Sequence, residues 1–251
     1  MSAYLPAPVF QLLGGVKQRA VRVLARAGGV ESLATHLAAL LRLLEVDCVL
    51  DVGANRGQYA RLLRRIGYRG RIVSFEPVPE SFEELRRRAA GDPRWTTVPI
   101  ALGAADTVLP LHVTSVTEFS SLRDPSDYAR RTFPGTVVTR TVQVPVRCLD
   151  GLWAEHVRAV DRVHLKLDTQ GYDQQVLEGA RDVLDRVVSV QTELAVKSVY
   201  DGVPHYTEAI PRLEARGFEL TGVFPVLRDP QLRIVELDCV MRRSPAPEGA
   251  A

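Results

Sequence analysis

Lysine is almost missing from this chain: of 32 basic residues only Lys17, Lys166 and Lys197 are lysine, and the rest are arginine. With abundant alanine and valine, that reads as coding bias in a GC-rich genome. A single arginine therefore carries little information, and a single lysine carries more. Cysteine is scarce too: Cys48, Cys148 and Cys239 lie far apart, each in an apolar, strand-like context. They read as buried reduced thiols, and no Cys-x-x-Cys pair or Cys/His cluster suggests zinc. No apolar run approaches the ~20 residues of a membrane span, and the N-terminus lacks the order of charge, apolar core and cleavage site of a signal peptide. The expectation is a cytoplasmic protein without stable membrane insertion. A net charge of +2 and the lack of an Asn/Asp-Pro-Pro-Tyr-type motif argue against a nucleic-acid partner.

What is present is an ordinary globular composition, 46% hydrophobic and 25% charged over 251 residues, enough for one large domain with a substantial core. Residues 1–45 read as an N-terminal helical extension: an irregular lead-in, then apolar residues at helical spacing from Val16 to Leu44, broken at Gly28-Gly29. Arginines 19, 22 and 26 fit a solvated helix face. The extension has two uses open to it, covering a site or making a homodimer contact.

Residues 46–243 read as one α/β domain. Strand 46–52 leads to helix 57–66, strand 71–75 to helix 79–90, and a third strand covers 95–100. Such alternation predicts a parallel sheet flanked by helices. Residues 103–147 break the rhythm as a β-rich insertion or lid, with strands at 109–113 and 137–146. The alternation resumes with strand 162–168, helix 172–185, strand 187–193 and helix 206–216. Strands 218–225 and 232–241, joined as a hairpin, place one antiparallel strand in the sheet. Residues 244–251 read as a disordered tail.

The densest chemical signal is Val-Asp-Cys-Val-Leu-Asp-Val-Gly-Ala-Asn-Arg-Gly at 46–57: a strand, a glycine turn and a helix N-terminus. A dinucleotide site wants G-x-G-x-x-G. Here the spacing is Gly53-x-x-x-Gly57 behind the acid Asp51, which suits a cationic ligand group better than a diphosphate. S-adenosylmethionine is favoured over NAD. Further acids close later strands: Glu76, placed to meet the two hydroxyls of a ribose, then Asp168 and Glu193. Parallel sheets bind ligands at these carboxyl ends. Lys166 shares a strand face with Asp168 and is placed to pair with the acids. Of the histidines, His205 falls in the loop after Glu193 and His112 in the insertion. His164 is mid-strand and reads as a hydrogen-bonded core residue, while His36 and His156 read as helix-surface residues. Asp150 and Asp173 read as helix-terminus residues.

Several stretches together resemble the FkbM-type family of S-adenosylmethionine-dependent methyltransferases. They are Asp51-Val-Gly-Ala-Asn-Arg-Gly-Gln-Tyr-Ala60, Phe75-Glu-Pro77, Ala101-Leu-Gly103, Ser120-Ser121-Leu122 and Lys166-Leu-Asp-Thr-Gln-Gly-Tyr-Asp173, then Val176-Leu-Glu-Gly-Ala180, Glu193 and Glu236-Leu-Asp238. The resemblance implies a class I methyltransferase fold: Rossmann-like, seven strands, mostly parallel, the last antiparallel. It implies that the loop with Asp51, Gly53, Ala54, Asn55 and Gly57, with Tyr59, Glu76 and Pro77, holds the cofactor, that the adenine pocket forms near Ala101 and Leu102, and that Ser121 contributes. Gln170 departs from the family pattern, standing where many relatives have an acid. The implied reaction is methyl transfer to oxygen of a small acceptor, a sugar or glycoside or else a natural-product hydroxyl. Two catalytic schemes fit. In one, Asp168, Glu193 and Asp238 bind Mg²⁺, which holds and acidifies the acceptor hydroxyl. In the other, a carboxylate or His205 is a metal-free general base. An NAD-dependent oxidoreductase and a non-catalytic cofactor-binding protein are the rival classes.

Overall fold

The computed structural model describes residues 31–245. The irregular lead-in, the helical stretch from Val16 to the break at Gly28-Gly29 with its arginines, and residues 246–251 of the tail lie outside the described residues.

Chain order begins with α1 (Leu33–Leu43), β1 (Cys48–Val52), α2 (Gln58–Arg65), β2 (Arg71–Phe75), α3 (Pro79–Ala89) and β3 (Trp95–Val98). It continues with β4 (Ala101–Leu102), β5 (Thr107–Thr114), α4 (Asp127–Thr132), β6 (Val138–Arg147) and α5 (Leu149–His156). Then come β7 (Val163–Leu167), α6 (Asp173–Glu178), β8 (Val187–Ala195), α7 (Tyr206–Glu214), β9 (Phe218–Arg228) and β10 (Ile234–Arg243). The main sheet has seven strands in the order β3-β2-β1-β7-β8-β10-β9. Neighbours from β3 to β8 are parallel, and β10 runs antiparallel between β8 and β9. This is the expected class I arrangement.

Strand alternation sends side chains to two cores. Leu50, Val52 and Leu165 join one core with Phe75 and Trp153, whereas Val49 joins Leu37, Leu63 and Leu85 on the other face. Helices therefore cover both faces, which is why the central strands read as continuous apolar runs. The insertion forms its own three-stranded sheet, β4-β6-β5. The strand expected at 95–100 is β3, which ends at Val98 and pairs with β2; the next two-residue strand, β4, lies outside the main sheet and pairs with β6.

Three other expectations are completed or corrected. Helix α5, implied by the readings of Asp150 and His156 but given no range, spans Leu149–His156, and its Leu149, Leu152, Trp153 and His156 follow helical spacing and are all buried. The helix expected over 172–185 ends at Glu178, because Gly179 lies against the Gly103 carbonyl: a Cβ there would sit 1.9 Å from that oxygen. His156 is buried, its ring edge-on to Phe75 at 5.5 Å, and His36 packs on Phe224 and reaches Thr221; neither is a plain surface residue. Cys48 and Cys239 are buried and Cys148 half-buried, all as free thiols. Among the described residues no helix is long and apolar enough to cross a membrane.

Candidate active site

Register places the acids. Val52 lies beside Phe75 on one side and Leu167 on the other, and Leu167 lies beside Thr192. The residues that follow these strand positions, Gly53, Glu76, Asp168 and Glu193, therefore share one sheet edge. The antiparallel β10 brings Asp238 opposite Glu193 and Glu236 opposite Ala195. Together they open on a cavity of about 560 Å³, within the ~300–1,000 Å³ usual for small-molecule sites.

At one end is the glycine loop. Gly53 has φ 76°, and a Cβ on it would lie 1.9 Å from the Asp168 carbonyl oxygen, so only glycine lets the two loops approach. The backbone N–H groups of Gly53 and Ala54 both donate to the Phe75 carbonyl at 3.0 Å. Asn55, at φ 46°, donates its backbone N–H to Glu76 Oε2 at 2.7 Å, and Val78 donates to Oε1 at 2.8 Å. Burial pushes the Glu76 carboxyl up to about 7 despite these two donors. The side-chain oxygen Oδ1 of Asn55 is buried without a partner among the described residues and belongs to a cavity-lining residue. Pro77, Ala101 and Leu102 supply an apolar wall, and Ser121 reaches the cavity from the insertion.

At the centre sits Lys166, buried with its Nζ 3.1 Å from Asp168 Oδ2 and 3.4 Å from Asp51 Oδ1. Burial alone would lower its pKa; Asp168 and Asp51 outweigh that and hold it raised, so the side chain stays an ammonium. Asp51 also accepts from Ser74 at 3.0 Å, and Ser74 accepts from the Trp95 indole at 2.9 Å. This corrects the role expected for Asp51. It is wholly buried and does not line the cavity, and its cation is Lys166 rather than a ligand. Gly57 is likewise behind the cavity, turning the chain into α2 against Trp95.

The far floor is acidic. Burial, then Asp168, Glu236 and Asp238, raise Glu193 well above the carboxylate range. Burial, then Asp168, Asp173 and Asp238, push Glu236 up to about 8; burial, against the lowering bond from Gln191 and helped by Asp168, pushes Asp238 up to about 6. Gln191 donates to Asp238 Oδ1 at 2.9 Å and accepts from the Tyr59 hydroxyl at 2.8 Å. Gln170 donates to Asp168 Oδ1 at 2.7 Å and Glu193 Oε2 at 3.1 Å. Glu236 receives no donor among the described residues.

The magnesium scheme does not fit this donor set. Asp168, Glu193 and Asp238 turn oxygens toward Lys166, Gln170 and Gln191, and among the described residues no group of three or more His, Cys, Asp or Glu side chains is arranged to hold a metal ion. His205 is not at the site either: it caps α7, exposed, bonded to Thr207 at 2.8 Å and outside the cavity lining. His112 stays in the insertion beside Thr141 and Asp124. His164 is the buried core residue expected, between Tyr59 and Ser189. Asp173 does more than begin a helix, since its carboxylate accepts from Thr169 and, at 2.6 Å, from Thr192.

Gln191 is a site residue outside every motif, while Gln170 and Glu236 lie inside quoted motifs but were given no role at the site. Gln191 had a signal: Ser189, Gln191 and Glu193 form a period-two polar stripe in an otherwise apolar strand.

Among known proteins, the 2-O-methyltransferase NoeI of Sinorhizobium fredii strain NGR234 is 23% identical over 207 residues, spanning 78% of this chain and 79% of its own. Solved structures with similar chain paths include an rRNA methylase from Streptococcus thermophilus (TM-score 0.47, 11% identity, 86% of this chain and 99% of that one). Another is the fibrillarin of Aeropyrum pernix with natively bound S-adenosyl-L-methionine (TM-score 0.44, 14% identity, 78% and 66%). The methyltransferase FkbM domain model matches residues 51–220. That match spans more than half of the chain, and the protein belongs to the FkbM methyltransferase family.

Proposed function

We propose that the protein is an S-adenosylmethionine-dependent O-methyltransferase acting on a hydroxyl of a small polar molecule, a sugar, glycoside or oligosaccharide. The observation that carries this reading is a single cavity with two chemically different ends. One end has a glycine loop, the Glu76 carboxylate and an apolar wall; the other has Asp168, Glu193, Glu236 and Asp238. The first end fits an adenosine: Glu76 is placed for ribose hydroxyls, Asn55 Oδ1 offers an unused acceptor, and Pro77, Ala101 and Leu102 fit a flat base. When bound, S-adenosylmethionine supplies a methyl group on a sulfonium, already activated for transfer.

The remaining work belongs to the acidic end. A neutral hydroxyl is a poor nucleophile, so the chain must orient it and accept its proton. Carboxylates bind hydroxyls well, and several together suit an acceptor with several of them. Glu236, which receives no donor among the described residues, has a pKa raised to about 8, which makes it a better base than an ordinary carboxylate. Asp168 is paired with the Lys166 ammonium at 3.1 Å, so it orients the acceptor. The named activity of the NoeI relative, transfer to oxygen, supports the same reading.

The test is mass spectrometry of a transfer assay over sugars, sugar nucleotides and oligosaccharides, with an RNA oligonucleotide as control. A methylated sugar and unmodified RNA are expected. Cofactor binding without transfer to any acceptor would favour a non-catalytic protein, and a melting temperature raised by NAD but not by S-adenosylmethionine would favour the oxidoreductase.

A further inference from the structure

Gln170 stands where the acidic floor converges. It follows Asp168 by two residues, and its backbone is left-handed, φ 54°, a conformation that costs a non-glycine residue ~1 kcal/mol. Its side-chain nitrogen carries two N–H groups and directs them at two different carboxylates, Asp168 at 2.7 Å and Glu193 at 3.1 Å. The orientation of the amide is fixed by chemistry, since its oxygen facing the Asp168 carboxylate would set acceptor against acceptor. The Tyr200 hydroxyl donates to the amide oxygen at 2.7 Å, and Ser121 of the insertion donates to the Gln170 carbonyl at 2.6 Å. The residue is clamped on every polar atom but its own N–H.

Carboxylates gathered this closely repel unless something between them supplies a proton, a cation or a hydrogen-bond donor. A divalent cation draws on several oxygens at once; a neutral amide needs one lone pair from each partner and leaves the others for a ligand. We propose that the Gln170 amide takes the place of a bridging divalent cation, joining Asp168 to Glu193 so that they present their remaining lone pairs to the acceptor without a metal. Gln170 is then a positioning residue. Its effect on turnover rests on the methyltransferase reading, but its effect on cation binding does not.

The near-isosteric Gln170→Glu removes both N–H donors and adds a third carboxylate at the same point. The experiment measures melting temperature in EDTA, Mg²⁺ and Mn²⁺, and bound Mn²⁺ by electron paramagnetic resonance, on the full-length protein and its variants. The wild type should melt at one temperature in all three. Gln170→Glu should melt lower in EDTA, recover by several degrees in Mn²⁺ and bind one Mn²⁺, and adding Glu193→Gln should abolish that binding. A wild-type Mn²⁺ site removed by Asp168→Asn overturns the proposal, as does a folded Gln170→Glu that takes no Mn²⁺. Should Gln170→Glu not fold, Gln170→Ala decides: it must bind Mn²⁺ more tightly than the wild type, and failure to do so overturns the proposal. In the transfer assay, EDTA should leave wild-type kcat unchanged. Gln170→Ala should lower kcat at least tenfold with little change in cofactor affinity. A wild type that methylates nothing sinks the proposed activity and leaves the cation result standing.

Discussion

The Lys166 ammonium lies 3.4 Å from the carboxylate of Asp51, a residue with no exposed surface. The same ammonium pairs with Asp168 at the cavity floor, so it links a charge sealed in the sheet to one that faces the ligand. Lys166→Met keeps the stem and deletes the charge, leaving Asp51 buried and uncompensated. The expected loss is ~3–5 kcal/mol in urea unfolding at neutral pH. Because the lysine pKa is raised on folding, its contribution is complete below the unfolded value of ~10.4 and fades only above it. Asp51→Asn should cost less in the Lys166→Met background than in the wild type; equal costs would show that the pair is not coupled.

The role proposed for Glu76 predicts that cofactor affinity depends on pH. Its ionised form accepts from hydroxyls, and burial raises its pKa to about 7. Affinity for S-adenosylmethionine, read by calorimetry, should tighten as pH rises through that value, by up to about tenfold per unit on the acid side. Glu76→Gln should bind more weakly and lose the pH dependence. A variant with wild-type affinity at pH 8 would remove Glu76 from the site.

Glu236→Gln should lower kcat by ~10²–10⁴ while leaving cofactor affinity unchanged. The wild-type rate should climb as pH rises through about 8, and this limb should vanish in the variant. Stability gives an independent reading. A carboxyl whose pKa is raised on folding contributes fully below its unfolded value of ~4.3, and that contribution is lost as pH rises through the folded value. Glu236→Gln should therefore melt higher than the wild type at pH 9 and no higher at pH 4.

Gly53→Ala asks for a methyl group 1.9 Å from the Asp168 carbonyl at a φ of 76°. Loop and strand end must part, so both stability and cofactor affinity should fall, with stability lower by ~1–3 kcal/mol. An unchanged melting temperature would mean that the two loops do not meet in solution as they do here.

The alternation of apolar runs and amphipathic segments was enough to read the doubly covered sheet, the hairpin at its end and the acids at its edge. Those features depend on period and on strand ends, both local. Helix α5 shows the limit: its apolar spacing is present but lies directly after a long strand, so its start had no loop to mark it. The early end of α6 was not legible at all, because it depends on Gly179 meeting Gly103, which lies 76 residues earlier in the chain.

The chemistry divides along the same line. The sequence by itself determined which residues carry charge, that Asp51, Glu76, Asp168 and Glu193 lie at or near the carboxyl ends of strands, and through its ordered motifs the family. Tertiary structure decided what each acid does. Asp51 turned out to serve Lys166 rather than a ligand, His205 stayed outside the cavity, and the carboxylates met amide nitrogens of Gln170 and Gln191 instead of forming a metal-ligand set. A side chain's identity is fixed by its codon. Its protonation, partners and access to a ligand depend on burial and on neighbours from distant strands, and only the folded register brings those together.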